Sequence, residues 1–165
     1  MNIYQFAMQM EQDGENFYRR LAKEATVPGL AKIFTMLADE EVKHYKVIVL
    51  LSKKEKNPES TNTALLENVK NVFIGMRTEK KQLSIDTPSA IASYSKACTI
   101  EAESEKFYRE KSAQTADEYE QQIFSRLAGE EANHFRIMKN ILEFVSRTEP
   151  GNWLENAEWY HLDEY

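Results

Sequence analysis

Apolar residues recur at helical spacing through four long stretches of the chain. The first runs Ile3, Ala7, Met10, Gly14, Phe17, Leu21, a stripe along one face of a helix and not the alternation of a strand. The second runs Leu30, Phe34, Leu37 and then departs from its own rule. Its next inward positions are Glu41 and His44, and only afterwards do Ile48 and Leu51 resume the apolar run. The fourth stretch repeats the interruption, with Phe124 and Leu127, then Glu131 and His134, then Met138 and Ile141. Twice, a carboxylate and an imidazole stand where the helical period asks for core.

Helix-breaking residues separate the stretches. "TVPGL" at 26–30 divides the first from the second, "KNPES" at 56–60 ends the second, and "EPGN" at 149–152 closes the fourth. "DTPSA" at 86–90 offers Thr87 as an N-cap with Pro88 at the first helical position of the third. The two halves are related by a constant displacement of 90 positions, without gaps: Glu11 falls on Glu101, Tyr18 on Tyr108, Phe34 on Phe124, Glu41 on Glu131 and His44 on His134. "IFTMLADEEVKHYKVI" (33–48) overlays "IFSRLAGEEANHFRIM" (123–138), and "MEQDGENFYRR" (10–20) overlays "IEAESEKFYRE" (100–110). The chain is a duplicated helical hairpin. Residues 56–87 make a long connection carrying the amphipathic piece "ALLENVKNVFIGM", long enough to let the second and third bundle helices run parallel. The predicted architecture is all-α: a four-helix bundle over residues 1–147 with one crossover at 56–87, followed by a short C-terminal tail at 148–165.

Composition narrows the chemistry. With 165 residues, 42% hydrophobic and 29% charged, the chain can enclose a core and lacks the signature of disorder. A net charge of −6 and a pI near 5.2 argue against a nucleic-acid partner, which needs a concentrated basic face. The basic cluster "KKEK" at 53–56 reads as a solvated helix end. There is no apolar run of membrane-spanning length, and "MNIYQFAMQMEQDGEN" carries an acidic residue where a signal peptide keeps its apolar segment. No membrane association and a cytoplasmic location are expected. The single cysteine, Cys98, excludes an intrachain disulfide framework and a four-cysteine metal site within one chain, which leaves oxygen and nitrogen as ligand atoms.

Glu41 and His44 are three residues apart and share a helical face, as do Glu131 and His134. One such pair is commonly part of a solvated stripe. Two pairs in register, each interrupting an apolar seam, would be costly to bury unless a cation lay between them. Glu11 and Glu101 are the candidates for the remaining ligands, and four carboxylates with two imidazoles suit two divalent cations. Such a donor set favours iron or manganese over structural zinc. Tyr18 and Tyr108, two turns beyond Glu11 and Glu101 on the same helices, are expected to lie over those carboxylates and orient them. Glu40 and Glu130 are expected at solvent or a helix interface, Glu15 and Glu105 as salt-bridged surface groups, and Cys98 as a buried small apolar residue. The aromatic tail "NWLENAEWYHLDEY" is expected to pack on the bundle or on a partner subunit, with His161 structural.

In "EQDGENFY", "LADEEVKH", "IEAESEKFY" and "LAGEEANH" the chain resembles the rubrerythrin branch of the ferritin-like di-iron carboxylate superfamily, over nearly the whole bundle. The resemblance implies a ferritin-like fold and a pair of iron ions held by Glu11, Glu41, His44, Glu101, Glu131 and His134. In it Glu41 and Glu131 would bridge, the histidines would each bind one metal, and Glu11 and Glu101 would be terminal. It also implies an oxidoreductase acting on hydrogen peroxide or dioxygen, with a homodimer expected. Full rubrerythrins carry a four-cysteine rubredoxin domain, which one cysteine cannot build, so electrons would come from an external donor such as a rubredoxin-like protein. They also carry an extra glutamate where this chain has Ser104, with Gly14 at the matching first-helix position, and the ligand set is closer to that of bacterioferritin. A ferroxidase handling iron and a catalytically silent, metal-stabilised helical module are the alternatives.

Overall fold

The computed structural model describes residues 2–55, 64–78 and 88–146. These contain five helices: α1 (Ile3–Glu24), α2 (Pro28–Ser52), α3 (Ala64–Thr78), α4 (Pro88–Gln114) and α5 (Glu118–Ser146). Four form the bundle, and α3 lies in the crossover. The expected Thr87 cap, the 148–165 tail and His161 fall outside the described residues.

Local chemistry sets the ends. Asn2 caps α1 in a reciprocal box with Gln5, each side chain accepting from the other's backbone N–H, at 2.8 and 3.0 Å. Pro28 opens α2, where its missing N–H costs nothing. That helix closes with Lys54 in the left-handed region at φ 57°, its N–H donating to Leu51 O at 3.0 Å and that of Glu55 to Leu50 O at 2.9 Å. Asp117 begins α5 by accepting from the Tyr119 and Glu120 N–H groups at 2.9 and 3.0 Å.

The short connections make α1–α2 and α4–α5 closely packed hairpins, whereas backbones of different hairpins approach much less. Cross-hairpin bonds give the orientation. Tyr18 of α1 meets Glu101 of α4 while Tyr108 meets Glu11, so these helices are antiparallel; His44 meeting Glu131 and His134 meeting Glu41 orient α2 against α5 in the same way. Consequently α2 and α4 are parallel, and the chain between them must return the length of the bundle. In that return α3 packs Val69, Phe73 and Met76 into the core. Gly29 permits the close approach, since a Cβ there would lie 2.2 Å from Met76 Sδ. No described helix is long and apolar enough to cross a membrane.

Among the described residues the core consists of two apolar clusters that the internal repeat exchanges. One gathers Phe34 and Leu37 of α2 with Ile137, Met138 and Ile141 of α5. The other gathers Phe124 and Leu127 of α5 with Val47, Ile48 and Leu51 of α2. Each cluster thus takes the first half of one helix and the second half of its copy, as antiparallel packing requires. The interrupted positions, Glu41, His44, Glu131 and His134, form the band between them.

Because Leu37 and Leu127 are fully buried in separate clusters, Leu37→Ala and Leu127→Ala should each destabilise the protein by about 2–5 kcal/mol, and the double variant should lose close to the sum. Urea unfolding at constant metal content measures this. A loss below about 1 kcal/mol for either would contradict the packing.

Candidate metal centre

All six residues singled out as ligand candidates converge in the central band, each almost wholly buried. Glu11 comes from α1, Glu41 and His44 from α2, Glu101 from α4, and Glu131 and His134 from α5. The imidazoles lie nearly parallel, with centroids 5.3 Å apart and planes at 14°. Around His44 Nδ1 stand Glu131 Oε1 at 3.0 Å, Glu11 Oε2 at 3.3 Å and Glu41 Oε2 at 3.6 Å. Around His134 Nδ1 stand Glu41 Oε1 at 3.3 Å, with Glu101 Oε2 and Glu131 Oε2 each at 3.7 Å. Glu41 and Glu131 therefore turn one oxygen to each histidine. The result is two groups of four potential ligands, Glu11, Glu41, His44, Glu131 and Glu41, Glu101, Glu131, His134, with the ligand atoms of each group within 4.8 Å of one another.

Gly14 makes room for this arrangement, because a Cβ there would lie 3.3 Å from Glu41 Cδ. Its copy, Ser104, is also buried. Neither position supplies a carboxylate.

The tyrosines are placed differently from the expectation. Tyr18 donates to Glu101 and Tyr108 to Glu11, across the hairpins instead of along their own helices. Seven residues climb about 10 Å of helix, beyond a phenol's reach to its own-helix carboxylate, whereas the antiparallel neighbour brings the opposite glutamate level with it. The glutamates before the ligand candidates were expected at solvent or a helix interface, and Glu130 lies at such an interface, between α5 and α2. Glu40 is buried and held by Lys43 at 2.6 Å, and Glu130 Oε2 contacts His44 Nε2 at 2.8 Å. Glu15 and Glu105 pair with Arg19 at 3.3 Å and Arg109 at 2.7 Å on the surface. Cys98 is half-buried against the core, and burial pushes its thiol pKa up.

The centre has more buried polar atoms than it can satisfy. Among the described residues Glu11 Oε2, His44 Nδ1, Glu131 Oε1 and His134 Nδ1 have no hydrogen-bond partner; they approach one another closely enough for ion pairing without the alignment a hydrogen bond needs. All four belong to the two ligand groups. Without a cation such a cluster must take up protons. Burial, reinforced by Glu41, raises the Glu11 pKa from 4.5 to about 8 against the opposing pull of His44. Burial and the charges of Glu41 and Glu11 raise Glu131. The histidines are lowered by burial, but neighbouring carboxylates outweigh it, chiefly Glu131 and Glu11 at His44 and Glu101 at His134, so both are raised. Burial opposes ionisation of Glu41 too, yet the close approach of His134 and His44 holds it below the usual range. Both tyrosines are raised by burial and by the carboxylates they serve, which keeps them as donors. An unsatisfied, oxygen-and-nitrogen donor set facing one centre fits divalent metal ions.

The Rubrerythrin family model matches residues 2–95. The chain belongs to the rubrerythrin family. The match spans the first hairpin with Glu11, Tyr18, Glu41 and His44, and the second hairpin of the chain is the internal copy that carries the other half of the centre. Searches of curated proteins and of solved structures found no match. The family is one of di-iron carboxylate proteins, and the buried Glu/His cluster is able to hold metal.

The proton-loaded centre fixes a pH dependence. Between 4.5 and about 8 the folded metal-free state holds a proton on Glu11 that the unfolded state has lost. Raised His44 and His134 act in the same sense, stabilising below their ordinary pKa and losing that contribution as pH rises through the folded values. The melting temperature of the chelator-stripped protein should therefore fall from about pH 5 to about pH 8, and the metal-loaded protein should show a flatter profile. Calorimetry across that interval measures it; a metal-free melting temperature that rises with pH would contradict the assignment.

Proposed function

We propose that this protein is a di-iron oxidoreductase, with manganese as the alternative metal, that reduces hydrogen peroxide or dioxygen using electrons from a separate donor protein. The observation that carries the proposal is the pair of four-residue ligand groups sharing Glu41 and Glu131. Glu11 and His44 would hold one metal, Glu101 and His134 the other, and Glu41 and Glu131 would serve both. Two redox-active ions so held supply two electrons at one place, which a two-electron reduction of peroxide requires.

The chain's own residues prepare that place. Tyr108 and Tyr18 each donate to one oxygen of Glu11 and Glu101, leaving the other oxygen to face the centre. The apolar clusters on either side keep water out, so protein dipoles and charges act at low dielectric. Near-complete burial of all six residues favours an oxidant of a few atoms over a bulky organic substrate. Ferroxidation with transfer of iron is the second reading, favoured by Gly14 and Ser104, which leave a symmetric six-residue set without a seventh carboxylate.

Anaerobic loading with ferrous iron, followed by rapid mixing with peroxide or with air-saturated buffer, separates the readings. The proposal expects oxidation seen as new near-ultraviolet absorbance, repeated turnover when a chemical reductant is added, and loss of both in Glu131→Ala. Iron accumulating well beyond two per chain without reductant-dependent turnover would favour the ferroxidase. Bound iron inert to both oxidants would contradict either activity.

A further inference from the structure

The internal repeat copies the ligand candidates but not what supports them. His44 Nε2 lies 2.8 Å from Glu130 Oε2. A carboxylate accepts, so Nε2 keeps a proton, and Nδ1, which faces Glu11, Glu41 and Glu131, is the nitrogen left to bind a metal ion once such an ion displaces its proton. Behind Glu130 stands Arg126, with Nε 4.0 Å from Glu130 Oε1; its Nε and Nη2 are buried without a hydrogen-bond partner among the described residues, so the guanidinium adds its charge to the side of Glu130 away from the imidazole.

The other half lacks this chain of contacts. The copy of Glu130 is Glu40, and it is taken by Lys43 at 2.6 Å. Lys43 corresponds to Asn133, which offers no competing cation, and Arg126 corresponds to Met36. The carboxylates near His134 face its Nδ1, and among the described residues none pairs with its Nε2.

We infer that Glu130 is a positioning residue that makes the two metal positions unequal, so that the one at His44 fills before the one at His134. The inference rests on the proposed metal centre and goes beyond it, since six symmetric ligand candidates would predict equal positions. The physical ground is that a carboxylate on the distal nitrogen of a ligating histidine fixes its tautomer and ring orientation and raises the basicity of the nitrogen that binds. At His134 the two tautomers compete, and part of the binding free energy goes into selecting one.

Anaerobic titration of cobalt(II) into the chelator-stripped full chain tests this, with d–d absorbance giving the stepwise constants and paramagnetically shifted imidazole resonances showing which histidine is engaged. The wild type should bind two ions in separate steps, the first about 10- to 100-fold tighter than the second and at His44. Glu130→Ala should weaken the first step alone and merge the two, and Glu130→Gln, which retains an oxygen acceptor, should recover part of the difference. The Met36→Arg/Lys43→Asn double variant, which gives the His134 side the residues found behind His44, should tighten the second step. Two equal steps in the wild type would overturn the inference while leaving the metal centre intact, as would equal weakening of both steps by Glu130→Ala and Glu130→Gln. No uptake by the wild type would overturn the inference and the proposed function together.

Discussion

Four carboxylates and two imidazoles are enclosed in the middle of a helical bundle, and four of their polar atoms have no hydrogen-bond partner among the described residues. Burying such groups costs several kcal/mol each unless charge is neutralised, so the bundle must provide protons or cations at its centre. The same groups join its halves. Backbones approach closely within each hairpin and much less between hairpins, and the contacts across include Tyr18 with Glu101, Tyr108 with Glu11, and the histidines with the opposite hairpin's glutamates. The centre is thus a structural joint as well as a chemical site, and its occupancy bears on folding and reactivity together.

Duplication gives this joint its form. Antiparallel packing of α2 against its copy α5 divides the core into two exchangeable apolar clusters with the polar band between them. It also turns one oxygen of each shared glutamate toward each histidine. The helix α3 breaks the symmetry on one side, adding Val69, Phe73 and Met76 to a single cluster. Near the centre the symmetry is broken by side chains alone, through Lys43 against Asn133 and Met36 against Arg126.

The bundle, its crossover and the convergence of six polar residues were legible because they rest on local periodicity and on a displacement that can be read along one chain. Glu41 and His44 announced themselves by interrupting an apolar seam, and their copies repeated the interruption. The tyrosine contacts were not legible in the same way, since Tyr18 reaches Glu101 only once α1 and α4 are known to be antiparallel neighbours. Glu130 was missed for a different reason. The Glu-Glu doublet is identical in both copies, so similarity hides it; the differing residues around it, Lys43 and Arg126, are the signal that could have found it. The amphipathic piece of the crossover was visible as a helical pattern, but which face of the bundle it would cover depends on the fit of Met76 against Gly29.

The most direct test of a two-metal centre in this bundle is anomalous diffraction from crystals loaded anaerobically with ferrous iron, with data collected on both sides of the iron edge. Two peaks are expected inside the bundle, one bordered by Glu11 and His44, the other by Glu101 and His134, with Glu41 and Glu131 beside both. Crystals that take up no iron at the centre, with the six side chains still converged there, would contradict this expectation and leave a proton-neutralised polar core in place of a metal site.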